Sequence, residues 1–336
     1  MSYVVYPYSN DFYPLTEDSG LLNINICKVV YPRGWKKNIC VPEGIQDSTN
    51  FFEAVEDSEG VIIADIKKWA YLYNDIIEKI EKTLSSGLKV ICCSELNPQD
   101  LSRFGIQNNF QYLNCFDDIS GFNKKPYQIQ DCPVICVGNL FREMSNSDIV
   151  SKISIALKKK GYTVLTIIPD DRNYLLTDYK VFSDKFFSTC PVDEYVITYN
   201  NFINSLQAAH TADVIVIGLP DGMINYSDYC SGGNGIRNFI LSQAISVDYF
   251  VLNSPLDVMD IEGFHLLSNT FKYRFGFDID DIVFSRVCVD AATEEEERVV
   301  FQFATEKNIN ESINYYKKDT KLGYYDRQDL LTYDAI

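Results

Sequence analysis

The stretch from 132 to 168, CPVICVGNLFREMSNSDIVSKISIALKKKGYTVLTII, limits the folds open to this chain more than any other. It reads as a buried strand over Pro133 to Val137, a loop opening on Gly138, a helix from Ser145 to Lys160 and a second strand from Tyr162 to Ile168. Two strands joined through a helix of that length pair in parallel, because a parallel pair needs a long crossover and a hairpin does not. Helices then cover the faces of the sheet, so the chain is committed to an α/β architecture.

The same alternation continues on both sides. Upstream, strands are expected over Tyr3 to Tyr6, Ile26 to Tyr31, Val61 to Ala64, Leu88 to Cys93 and Phe110 to Leu113. Between the third and fourth, WAYLYNDIIEKIEKTLSSG repeats apolar residues at spacings of three and four and stops at Gly87, as a helix packed on a sheet does. This predicts an N-terminal Rossmann-like or flavodoxin-like parallel sheet over residues 1–125. The polar, proline-containing FNKKPYQIQDCP marks a boundary, and a second α/β domain follows over 131–336. Its helix YNNFINSLQAAH, its buried strand DVIVIG (Asp213 to Gly218), a helix over Gly235 to Ala244 and a strand over Asp248 to Leu252 extend the pattern. At the end, IVFSRVCVD and RVVFQFAT flank the acidic AATEEEE and read as an antiparallel pair, followed by the helix INESINYYKK. The second domain is thus expected to be a degenerate P-loop-like unit with an α+β end. A chain of 336 residues is long enough for two such cores.

Charge and cysteine usage narrow the function classes. A net charge of −17 repels nucleic acid phosphates and anionic headgroups, so neither nucleic acid nor a membrane is expected as a partner. No apolar run approaches the roughly 20 residues of a membrane helix, and MSYVVYPYSN lacks the pattern of a signal peptide, which predicts the cytoplasm. Ten cysteines include no Cys-x-x-Cys pair, and several stand in strand-like runs such as KVICCS, where cysteine acts as a small hydrophobe. With only His210 and His265 to add, no metal site is expected.

Three constellations can carry chemistry. The first is the loop after Gly138. A phosphate loop wraps backbone N–H groups around an anion and aims a helix N-terminus at it. Gly138 and Asn139 open such a loop, yet Ser145, Asn146 and Ser147 stand where Gly-Lys-Ser would fall, and no lysine occurs before Lys152. The segment therefore reads either as a bare strand–helix–strand unit or as a degenerate cradle for a nucleotide such as ATP with Mg2+. Ordinary NTP hydrolysis is not expected without the fixed ammonium. The second is GLPDG, Gly218 to Gly222, where Asp221 and Gly222 follow the strand expected beside that loop. With it goes the glycine cluster Gly232, Gly233 and Asn234, which reads as a turn or as a second anion nest. The third comprises the loops VYPYSNDFYPL and VVYPRGW after the first two strands, which bring Tyr6, Tyr8, Asn10, Arg33 and Trp35 to one edge of the sheet. That group suits a carboxylate or a peptide backbone, and suits equally well turns closed by aromatic caps.

With VYPYSNDFYP, YPRGW, DVIVIGLPDG, SGGNGI, LSQAISVDYFVLN and FKYRFGFDIDD in view, the sequence resembles a clostridial family of peptide maturation system proteins. The resemblance spans most of the chain. It implies an accessory factor for small cysteine-rich ribosomal peptides matured by a radical S-adenosylmethionine enzyme. The degenerate loop and the paired aromatic loops add the expectation that precursor peptide or maturase is held in a crevice between domains, with a nucleotide at most as a structural ligand. The resemblance brings no catalytic residues. The alternative is an ATP-dependent ligase or transferase that modifies the peptide through Ser145 to Ser147, Asp221 and Mg2+.

Overall fold

A computed structural model describes residues 2–9, 12, 16, 24–34, 41–64, 70–94, 96–113, 125–169, 179–181, 186–189, 191–230, 234–295, 297–327 and 330. The chain divides into two compact units, one of residues 1–117 with 170–181 and one of 118–169 with 182–336.

The first unit is built on a wholly parallel sheet. Its strands are β1 (Ser2–Tyr6), β2 (Asn25–Val30), β3 (Gln46–Ser48), β4 (Gly60–Ile63), β5 (Lys89–Cys92) and β6 (Phe110–Tyr112), in the spatial order β3–β2–β1–β4–β5–β6. That is the Rossmann order and not the flavodoxin one, so the sequence expectation resolves to the former. Helices α1 (Phe51–Val55), α2 (Tyr73–Ser85) and α3 (Pro98–Phe104) link the strands. The apolar repeat of α2 buries Ile76, Ile80 and Leu84 against Val61, Ile63 and Val90 in one core. Each such side chain contributes about 1.5–3 kcal/mol of burial. Asn97 caps α3, its Oδ1 accepting from the Asp100 N–H at 2.8 Å.

The second unit holds β7 (Val134–Asn139), α4 (Ser147–Lys159), β8 (Val164–Ile168), α5 (Tyr195–His210), β9 (Val214–Gly222), α6 (Ile236–Ser242), β10 (Tyr249–Leu256), α7 (Ile261–Phe275), β11 (Asp281–Val289), β12 (Phe301–Phe303), α8 (Glu306–Tyr316) and β13 (Gly323–Asp326). Its parallel strands lie in the order β8–β9–β7–β10–β11. The expected antiparallel pair is present at the end, with Val287 opposite Phe303 and Val289 opposite Phe301. β13 pairs in parallel with the first half of the same β11 edge. The chain leaves β7 for β8 on one side, returns to β9 beside β7, then crosses to β10 on the other side. This makes the carboxyl end of β7 the switch point, where open α/β sheets form their crevice.

One element differs from expectation in a way that shapes the site. The strand foreseen as ending at Gly218 runs on to Gly222, with a register shift against β7 between Gly218 and Gly222. Two main-chain bonds hold the extension: Met223 N–H donates to Asn139 O at 2.8 Å, and Ile224 N–H to Leu140 O at 3.2 Å. Only glycine permits it, because a Cβ at Gly222 would stand 2.4 Å from the backbone nitrogen of Arg142.

Candidate functional site

The loop from 140 to 146 is closed by its own side chains and by those of its neighbours. Leu140 and Phe141 turn inward and are buried. A Cβ on Gly138 would meet the Phe250 ring at 2.7 Å and the Met223 sulfur at 3.1 Å, so the end of β7 is packed on that side. Asn146 does not cap its helix. It donates instead to Val137 O at 2.8 Å and to Leu219 O at 3.0 Å, stapling β7 to β9.

A chain of buried polar groups runs across the sheet from this loop to the start of α4. Asn139 Nδ2 donates to Met144 O at 3.1 Å. Asn253 on β10 donates to Asn139 Oδ1 at 2.8 Å and to Ser145 O at 3.0 Å. Ser285 Oγ on β11 donates to Asn253 Oδ1 at 2.7 Å. Arg327, just past β13, approaches Ser285 Oγ at 3.5 Å and forms an ion pair with Asp148 in the first turn of α4. Lys152 Nζ, one turn on, donates to Arg327 O at 3.2 Å. Asp148 is 1% exposed, and its Oδ1 has no hydrogen-bond partner among the described residues. The carboxylate stands where the helix dipole favours negative charge.

The outer side of the loop is different. Asp221, 6% exposed by side chain, accepts from Gly222 N–H at 3.1 Å and faces the half-exposed Arg142 at 3.8 Å. Asn238 on α6 fixes Asp221 by both main-chain groups: its Nδ2 donates to Asp221 O at 2.8 Å, and its Oδ1 accepts from Asp221 N–H at 3.1 Å. Asn234 N–H donates to Asn225 Oδ1 at 3.2 Å, and Arg274 to Asn234 O. Gly232 and Gly233 lie outside the described residues.

Comparisons with known proteins bear on the fold. No protein-family model matches the chain, and no curated protein sequence does. A solved structure does. A DUF1611 family protein from Anabaena variabilis aligns with a TM-score of 0.62 at 11% identity, over 98% of this chain and 96% of its own. Similarity at that identity concerns the fold alone, and it agrees with the α/β architecture of both units.

The aromatic group at the start of the chain is packed into the first unit. Tyr6 is buried and donates to Asp75, which also holds Lys79 Nζ at 2.8 Å. Lys79 lies 5.5 Å from the Tyr6 ring centroid and 5.4 Å from that of Phe51. Tyr8 is fully buried, its hydroxyl 3.2 Å from Thr16 Oγ1. Arg33 sits in an exposed turn, while Asn10 and Trp35 lie outside the described residues. The sequence reading did not single out Asn253, Ser285, Arg327 or Asn238, because none of them stands in the loop after Gly138 or in a glycine-rich turn.

A further pair of titratable carboxylates lies at the other end of β10 and β11. Tyr249 donates to Asp281 Oδ2 at 2.5 Å, and burial pushes the Asp281 carboxyl up to about 6. Asp280 is also raised by burial and accepts from Phe250 N–H at 2.7 Å. Among the described residues, no group of three or more His, Cys, Asp or Glu is placed to hold a metal ion. No described helix is long and apolar enough to cross a membrane.

Proposed function

We propose that this protein is a cytoplasmic accessory factor in the maturation of a ribosomally synthesised peptide, binding the precursor peptide or its radical S-adenosylmethionine maturase without turning over nucleotide. The family resemblance of the sequence supports the peptide role. The closed polar chain from Met144 to Asp148 supports the absence of turnover, and it is the observation on which the reading rests.

A triphosphate with Mg2+ needs free backbone N–H groups around the phosphates and a fixed cation beside them. The residues here do not fit that group. The loop is filled by Leu140 and Phe141, Gly138 is crowded by Phe250, and a carboxylate occupies the first turn of α4. The ATP-dependent ligase or transferase is therefore the weaker reading. Immobilised full-length protein is expected to capture purified precursor or maturase, and capture of neither overturns the accessory role. Calorimetry with ATP and Mg2+ is expected to show no binding heat at millimolar nucleotide. Heat that disappears in Ser147→Ala or Asp221→Ala revives the enzyme.

A further inference from the structure

We infer that β13 is a pH-sensitive cover on the edge of β11, seated firmly in acid and loosened from its Gly323 end as the pH rises toward neutral, with the Asp281 carboxyl as its clasp. The inference stands apart from the peptide-binding reading above.

β13 is fastened differently at its two ends. Among the described residues it pairs with β11 and with no other strand, along Asp281 to Phe284. At the far end Arg327 N–H donates to Phe284 O at 3.3 Å, and the guanidinium is ion-paired with Asp148. In the middle Tyr324 is buried and stacks on Tyr316 and Phe284, while Arg286 Nε lies 3.5 Å from Asp326 Oδ2. The near end is held by a carboxylate. Gly323 N–H donates to Asp280 O at 3.3 Å and also bonds to the Asp281 side chain. Asp281 is 3% exposed and packs so closely over Gly323 that a Cβ there would overlap its Oδ1. Loosening at this end uncovers the main-chain groups of β11 that β13 otherwise pairs.

The groups around this carboxylate set its charge. Burial raises the Asp281 carboxyl to about 6; the bond from the Tyr249 hydroxyl of β10 opposes that rise, neighbouring Asp280 adds to it, and Gly323 N–H opposes it again. Tyr325 of β13 also faces this corner, as does Asp278, which holds Lys272 Nζ of α7 at 2.9 Å. Once β13 lifts, the carboxyl reaches water and returns toward its ordinary value of 3.8, so the closed form holds the proton more tightly than the open one. Closure is therefore most favoured below about pH 4 and loses that advantage as the pH rises through about 6. A second titratable pair touches the strand: Tyr324 donates to Asp319 Oδ2 at 3.0 Å, and His265 Nε2 lies 3.0 Å from the same oxygen.

The test is native-state hydrogen exchange of the full-length protein, read by mass spectrometry on fragments covering β13 and β7 and corrected for the pH dependence of amide exchange itself. β13 is expected to exchange about tenfold or more faster than β7, at a rate that hardly responds to urea below the unfolding transition, as a local opening does. Its protection is expected to fall about tenfold from about pH 5 to about pH 7 and to stay level above that. Asp281→Asn is expected to flatten the fall, and His265→Gln to leave it unchanged. Gly323→Ala is expected to lower the protection of β13 at both ends of the range. Tyr249→Phe serves as a second variant should Asp281→Asn fold poorly: it removes a bond to the ionised carboxylate, so the fall is expected to move to higher pH. Exchange of β13 at the rate and with the urea response of β7 overturns the inference, because the strand then leaves only with global unfolding. So does a fall that survives Asp281→Asn, one that His265→Gln abolishes, or one that Tyr249→Phe leaves in place.

Discussion

The two sides of the loop after β7 are made of the same kinds of residue and behave in opposite ways. On the inner side, Asn139, Asn253, Ser285, Arg327 and Asp148 form one buried chain of polar contacts across three strands and a helix, which leaves only Asp148 Oδ1 and Arg327 Nη2 without a hydrogen bond among the described residues of the chain. On the outer side, the buried Asp221, fixed by Asn238 and by Gly222 N–H, meets a half-exposed Arg142 at 3.8 Å. A buried polar group is costly when it loses its partner, whereas a long contact to a half-exposed partner contributes less. The inner side is therefore structural while it stays closed, and the outer side differs in that one member of its pair, Arg142, reaches solvent.

The largest expected effect sharpens this contrast. Arg327→Met leaves Asp148 as an uncompensated buried charge and is expected to cost about 3–5 kcal/mol in urea unfolding. Adding Asp148→Leu to it is expected to recover much of the loss, because two apolar side chains replace a buried pair at little cost. A double variant worse than the single one breaks the account. Asn253→Ala removes a donor to two acceptors and an acceptor to Ser285, with an expected loss of about 1–3 kcal/mol.

The pH dependence of stability comes next in size. Burial raises Asp281 to about 6 in the folded protein against an ordinary value of 3.8. Between those values the native state binds more protons than the unfolded one, so stability falls as pH rises from about 4 to about 6. Asp281→Asn keeps an acceptor for Tyr249, and thermal melts of the variant are expected to show a flatter profile across that window. An unchanged profile assigns the dependence to other groups. The smallest effect is on the outer side: Arg142→Ala removes a long contact from a buried carboxylate that keeps its bond from Gly222 N–H, and is expected to cost about 0.5–1.5 kcal/mol.

Much of the fold was legible because apolar runs such as VIIAD and DVIVIG can be little else than buried parallel strands. The Rossmann order was not, since it depends on β3, whose QDS sequence is polar and lies at the sheet edge. GYYD of β13 was unreadable for a similar reason. At the site, Asn139, Asn146 and Asp221 stood out by their place next to a strand end. Their partners did not, because Asn253 and Arg327 reach the loop from far along the chain through tertiary contact alone. Tyr8 is buried with its hydroxyl 3.2 Å from Thr16 Oγ1, a contact no periodicity announces.

The long outer strand β11 shares its free edge between two short partners, β13 along Asp281 to Phe284 and β12 along Val287 to Val289. Neither partner exceeds four residues, so no long row of unpaired amides is offered there to another copy of the chain. A sheet finished in this way resists edge-to-edge polymerisation, and a chain cut before Gly323 should lose that protection and clump on storage before it loses its secondary structure.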